Sequence, residues 1–250
     1  MSAFAPRGAA ARALSQHYLR PYAAERIVAS SGLAPPLRMF ELGAGDGALT
    51  AALVRRCLRV TAVELDRVAW SRLRERFRAE PLVQAVLADM LAIELPRHGA
   101  YGVVSNVPFA ITAPLMRRLQ SMPNPPRVTA LVVQREAAQK WGGIGYESAV
   151  SVVLKNRFVV DVPLAIRRGD FTPRPNVDCV LLRLRTRPAP LVEPRRFEAL
   201  VQRGFGNGRG TLARNLGGLI RPATLSAAGG DRSTLPHELA FEQWLQLARE

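Results

Sequence analysis

The apolar run Leu37–Leu42 feeds directly into Glu41-Leu42-Gly43-Ala44-Gly45-Asp46-Gly47, and no other stretch of the chain restricts its fold as much. A short apolar run ending in closely spaced glycines reads as a buried parallel strand that turns sharply into a helix. Glycines at such a turn let the backbone approach a ligand closely at the helix start. The pattern then repeats. Strands are predicted at Arg59–Leu65, Leu82–Ala88, Tyr101–Asn106 and Val128–Val133. Helices are predicted at 22–31, Ala48–Leu58, Arg67–Arg78, Ala113–Leu119 and Glu136–Trp141. Alternation at this spacing predicts a doubly wound α/β sheet.

The rhythm changes after residue 150. Val150–Val160 and Val177–Leu184 are rich in β-formers with no long helix between them, and read as an antiparallel pair closing the sheet. Pro188-Ala189-Pro190 and Pro194 mark a linker, and residues 195–250 read as short helices. The expected organisation is a ligand-binding domain over 1–187, with 1–14 loosely ordered, and a small helical domain over 188–250.

The formal charge is +15 with a pI near 11.4, and only Lys140 and Lys155 are lysines, so arginine carries the balance. Such a chain suits a polyanionic partner, and arginine suits RNA because its fork pairs with phosphate and its plane stacks on bases. An Arg-rich codon bias is the competing explanation. Residues from 188 onward contribute only +2, so the basic surface belongs mainly to the larger domain. No apolar run approaches the ~18 residues of a membrane span, and residues 1–14 lack the apolar centre of a signal peptide. A soluble cytoplasmic protein is expected, with no membrane partner. Cys57 and Cys179 lie in apolar stretches without metal spacing, which predicts buried free thiols and no metal.

Three features cluster at predicted strand ends. Gly43 and Gly45 form the turn. Glu64 follows Gly43 by 21 residues and is placed to accept hydrogen bonds from two ribose hydroxyls. Asp89 ends the third strand, where a carboxylate can accept from an adenine amine, or else cap a helix. Gly43-x-Gly45-x-x-Ala48 also satisfies a dinucleotide pattern, so nicotinamide and S-adenosylmethionine both remain open on this turn. Glu41 and Asp46 beside the glycines suit a cationic methionine group better than a pyrophosphate. The fourth strand ends in Asn106-Val107-Pro108-Phe109. The Asn106 side-chain oxygen and the Val107 carbonyl can accept both hydrogens of an exocyclic base amine. Pro108 fixes the turn, and Phe109 can stack on the base. Such a site makes the amine a better nucleophile for methyl transfer, by positioning and electrostatics rather than a general base.

With these residues in view, the chain resembles the rRNA adenine N6-methyltransferase family over about Leu14 to Leu219. That family includes the erythromycin-resistance and small-subunit dimethyltransferases. Ser15-Gln16-His17-Tyr18-Leu19 resembles its N-terminal Ser-Gln-Asn-Phe-Leu motif. The resemblance implies cofactor contacts from Gln16, His17 and Leu19, and from Glu41, Gly43 and Gly45 in the loop. It implies the same for Glu64 in Val63–Asp66, Asp89 in Ala88–Met90, and Asn106. Asn106–Phe109 matches the catalytic motif, and Phe171–Asp178 resembles a Phe-x-Pro-x-Pro-x-Val-Asp stretch between the last strands. The implied fold is α/β: a seven-stranded Rossmann-like S-adenosylmethionine-dependent sheet with a small C-terminal helical domain contacting RNA. His17 stands where the family has Asn, Phe109 where Tyr is commoner, and Gly208–Leu212 where a more basic segment is usual. The short C-terminal domain and the Val-Pro-Phe variant lean toward the macrolide-resistance branch. That branch methylates 23S rRNA; the alternative is dimethylation of 16S rRNA. A monomer is expected. An NAD-dependent oxidoreductase and a noncatalytic RNA-binding relative are the readings from other classes.

Overall fold

The computed structural model describes residues 17–33, 37–57, 59–206 and 210–249. The expectations for residues 1–14, Ser15, Gln16, Gly208 and Arg209 lie outside the described residues. The first half alternates as the sequence predicts. Strand β1 (Tyr18–Leu19) leads to α1 (Pro21–Ser30), β2 (Arg38–Leu42), α2 (Ala48–Val54), β3 (Arg59–Glu64), α3 (Arg67–Arg76) and β4 (Val83–Leu87). Next come β5 (Tyr101–Asn106), α4 (Thr112–Ser121), β6 (Val128–Gln134) and α5 (Arg135–Gly142). After these come α6 (Ala149–Arg157), β7 (Phe158–Ile166), β8 (Phe171–Thr172) and β9 (Cys179–Thr186). The chain finishes in α7 (Pro194–Phe205), α8 (Leu212–Asn215), α9 (Pro222–Ala227) and α10 (Phe241–Arg249).

Seven strands form one sheet in the order β4-β3-β2-β5-β6-β9-β7. The pairs β3/β4, β2/β3, β2/β5 and β5/β6 are parallel. The chain steps outward from β2 to β3 and β4, then returns to place β5 on the other side of β2. That reversal opens a crevice beyond the carboxyl ends of β2 and β5, where open α/β sheets bind ligands. Both central strands are buried along most of their length, as expected for strands covered on both faces. The buried Ser105 hydroxyl ties them together by donating to the Leu42 carbonyl. Cys57 and Cys179 are buried free thiols, as their apolar settings predict.

A second, two-stranded sheet pairs β1 with β8 antiparallel, Tyr18 opposite Thr172 and Leu19 opposite Phe171. Asp170, just before β8, is buried. It accepts from the Tyr22 hydroxyl at 2.8 Å and the Arg167 amide at 3.0 Å, and pairs with Arg26 at 3.3 Å. These bonds fix the chain around α1 to residues 167–172.

Two expectations are corrected. The Val-rich stretch from 150 is not a strand; residues 149–157 form α6, and the strand begins only at Phe158. Ser148 and Ser151 form a reciprocal capping box, each side chain accepting from the other's backbone N–H at 3.1 and 2.8 Å. Ser151, Val152 and Leu154 are buried on this helix. Cap and burial together override the β preference of valine. The second correction concerns the division at 187/188. The compact units are Met1–Gln134 with Pro163–Arg183, and Arg135–Val162 with Leu184–Glu250. Residues 135–162 join the C-terminal helices because Val152 belongs to their apolar core, beside Phe197, Leu212 and Trp244. Within that core Trp244 stacks on Phe205 with ring centroids 5.4 Å apart.

Candidate active site

The crevice holds a cavity of about 530 Å³, within the usual range for small-molecule and cofactor sites. It is lined by His17, Leu19, Glu41, Gly43, Gly45, Glu64, Asp89 and the corner Asn106–Phe109. The described residues singled out from the sequence are thus brought to one place; Gln16 lies outside the described residues.

The turn after β2 is built by backbone geometry. Gly43 has φ of 78°, and a Cβ there would lie 2.6 Å from the Met90 methyl, so no other residue fits without displacement. The amides of Gly43 and Ala44 both donate to the Val63 carbonyl at 2.9 Å, which bends the chain across the end of β3. Gly45 (φ 55°) turns its amide to Glu64 Oε2 at 2.8 Å. The other Glu64 oxygen accepts from the amides of Leu65 and Asp66, each at 2.8 Å. The sequence pattern directs Glu64 toward a ribose; in the fold its carboxylate also organises the glycine turn. Both roles are compatible, because each carboxylate oxygen accepts more than one bond.

Glu41 is 1% exposed at the cavity floor and accepts from the Thr50 hydroxyl. Burial, opposed by that hydrogen bond and reinforced by Asp46 and Glu64, pushes its carboxyl up to about 8. A carboxyl raised in this way keeps a proton in the folded state that the unfolded chain gives up. Stability therefore falls as pH rises from about 4.5 to about 8, then levels off. Glu41→Gln has no such proton to exchange. Its stability relative to wild type is expected to rise across that window by at most about 1.4 kcal/mol per pH unit. Urea unfolding of both proteins at pH 5 and pH 8 checks this; a constant difference would refute it.

Asp89 follows β4, and one of its oxygens accepts from the Leu91 amide at 2.8 Å. Residues 90–93 form a turn and not a helix, so Asp89 caps no helix; its carboxylate closes that turn and lines the cavity. Sequence reasoning missed Arg118. From α4 its guanidinium donates to the carbonyls of Met90 and Ile93, holding the loop behind Asp89. Burial lowers its pKa below the usual arginine value. An arginine on an amphipathic helix carries no sequence signal for such a role.

Asn106 closes β5 in register with Val132. Its side-chain amide nitrogen donates to the His17 carbonyl at 2.6 Å. A carbonyl only accepts, so this bond fixes which end of the amide is nitrogen and leaves Oδ1 as the acceptor. Val107 is buried and its amide donates to the Val132 carbonyl at 3.2 Å. Pro108 takes φ −57° and ψ 126° before a short 3-10 turn, Phe109–Ile111. The ring of Phe109 lies 5.7 Å from that of His17.

Asp46, Glu64, Asp66 and Asp89 line the cavity together with the protonated Glu41. A pyrophosphate would meet like charge from the four ionised carboxylates, whereas a sulfonium and an ammonium would be attracted. An adenosine ligand carrying positive charge therefore fits these residues, and the Asn-Val-Pro-Phe corner supplies acceptors for an amine. Fold and site together define a nucleotide-cofactor-dependent methyltransferase.

Comparisons with known proteins narrow this class. The family model for ribosomal RNA adenine dimethylase matches residues 9–250. The chain is 33% identical over 251 residues to ribosomal RNA small subunit methyltransferase A of Synechococcus sp. (strain JA-3-3Ab), covering 93% of this chain and 90% of that protein. It is 36% identical over 232 residues to mycinamicin-resistance protein MyrB of Micromonospora griseorubida, covering 89% and 72%. The crystal structure of the 23S rRNA methyltransferase ErmE superposes with a TM-score of 0.86 at 30% identity, covering 93% of this chain and 98% of that one. The chain belongs to the ribosomal RNA adenine dimethylase family, and its cofactor is S-adenosylmethionine. No helix among the described residues is long and apolar enough to cross a membrane.

Proposed function

We propose that this protein methylates N6 of a specific adenine in 23S rRNA and thereby confers macrolide-lincosamide-streptogramin B resistance. The observation that carries this reading is the likeness to ErmE over nearly the full length of both chains, supported by the MyrB relative. S-adenosylmethionine, when bound, supplies an electrophilic methyl group. The chain's residues do the rest. Glu64 takes the ribose hydroxyls and Asp89 the cofactor's adenine amine. The Asp46 carboxylate and the hydrogen-bonding Glu41 carboxyl beside it favour the methionine end, with Gly43 and Gly45 giving it close access. Leu19 and the backbone of His17 close the cofactor side; Gln16 joins them by family resemblance alone.

The target adenine is flipped out of its RNA and stacks on Phe109, held in plane by the Pro108 turn. Asn106 Oδ1 and the Val107 carbonyl accept its two amino hydrogens, which returns lone-pair density to N6. With the cofactor bound, N6 would take the methyl group, the electron pair of the broken bond staying on the cofactor's sulfur, and would give up one amino proton to solvent while Asn106 and Val107 hold the amine in place. The C-terminal helices, from Pro194 onward, contribute RNA contacts, and the protein works as a monomer in the cytoplasm.

A second reading, dimethylation of 16S rRNA, is favoured by the small-subunit relatives. Primer extension and mass mapping of both rRNAs, from cells with and without the protein, separate the two. A new N6-methylated adenine at the macrolide site supports the first reading. A modified adjacent pair in the small subunit replaces it with the second.

A further inference from the structure

His17, one of the residues that depart from the family motif, touches two separate parts of the site. Its ring centroid lies 5.7 Å from Phe109, tilted 30°, and 6.4 Å from Phe171, edge-on at 77°. Its Nδ1 lies 2.9 Å from the Pro173 carbonyl. That carbonyl can only accept, so Nδ1 carries the hydrogen and donates it. Its own backbone carbonyl accepts from Asn106. The β1/β8 pairing places it there, since Tyr18 and Leu19 run antiparallel to Phe171 and Thr172. One residue thus ties the Asn106–Phe109 corner to the 171–173 segment.

We propose that the His17 side chain is a positioning residue for Phe109 rather than a cofactor contact. Its imidazole packs against the Phe109 ring and is held in orientation by the bond to Pro173, so the stacking ring meets the base in one orientation. This rests on the reading of Phe109 as the stacking partner of the target adenine. An aromatic side chain at a cavity edge is free to turn about two torsions unless a neighbour packs against it. The Asn usual in the family offers a hydrogen-bond donor but no ring, so a substitution pair separates the two contributions. His17→Asn keeps a donor and loses the ring; His17→Phe keeps a ring and loses the donor.

The test is a double-mutant cycle with Phe109→Ala, measuring kcat/KM for the rRNA that the wild type modifies and the Kd for cofactor. His17→Asn is expected to lower kcat/KM about tenfold, with cofactor Kd within about twofold. On the Phe109→Ala background the same change should cost less than about twofold, because the two side chains act as a unit. His17→Phe should recover most of the loss. Equal losses on both backgrounds, or cofactor binding weakened in parallel with turnover, would overturn the proposal and return His17 to the cofactor site. A second readout needs no turnover. A fluorophenylalanine placed at position 109 should change its 19F resonance on His17→Asn in the free enzyme; an unchanged resonance also overturns the proposal. A wild-type protein that methylates neither rRNA sinks the functional reading alone, since the fluorine shift still reports whether the rings pack.

Discussion

Asn106→Ala is expected to lower methyl transfer by about 10²–10³-fold while leaving cofactor affinity within about threefold of wild type. The magnitude is that of removing one preorganised acceptor or donor aimed at the reacting group. Asn106 reaches its position through backbone geometry: it ends β5 in register with Val132, and its Nδ2 donates to the His17 carbonyl at 2.6 Å. That bond leaves Oδ1 to accept from the substrate amine, so truncation removes the acceptor and leaves the cavity's carboxylates untouched. Asn106→Asp is a sharper variant. It keeps the shape but sets a second acceptor against the His17 carbonyl, and the repulsion turns the group away. Aspartate should therefore be no better than alanine, although a carboxylate oxygen is the stronger acceptor. Single-turnover rates and calorimetric cofactor titration decide the matter. Parallel losses in rate and affinity would make Asn106 a structural residue.

Why Asn106 stands out in the sequence, and His17 much less, is a matter of range. The strands at 38–42, 59–64, 83–87, 101–106 and 128–134 are legible because each is a short apolar run bounded by turn residues. Their order around the switch point follows from the right-handed connections of α/β units. Carboxylates at the ends of such strands then fall to one crevice by topology alone. The helix Ala149–Arg157 is not legible, because its valines carry a β preference that only burial among the C-terminal helices overrides. The β1/β8 pair is not legible either. It joins Leu19 to Phe171 across some 150 residues, with two strands of two residues each, too short for any periodicity. Its consequence, the His17 ring between Phe109 and Phe171, therefore leaves no trace in the residue pattern. Arg118 illustrates the same limit, since its hydrogen bonds go to carbonyls whose positions only the fold defines.

Affinity for the target RNA is expected to fall roughly 300-fold to 2,000-fold between 50 and 200 mM monovalent salt, for a footprint of about six phosphates. The net charge of +15 makes such a footprint available, and part of it sits near the reacting corner. Arg167, Arg168 and Arg174 are exposed around the β8 segment, which the β1 pairing brings to His17. Arg168 is engaged with Asp178 at 3.0 Å, so Arg167 and Arg174 are the better candidates for phosphate. Removing one phosphate contact lowers the slope of log K against log salt by about 0.7–0.9. Arg174→Ala should therefore weaken binding most at low salt and flatten the salt response by about that amount. A substitution acting only through stability would lower affinity equally at all salt concentrations. Fluorescence anisotropy of a labelled rRNA hairpin across that range measures both quantities. A flat response in the wild type would mean that the arginine excess reflects codon bias, and that recognition rests on the base-binding corner alone.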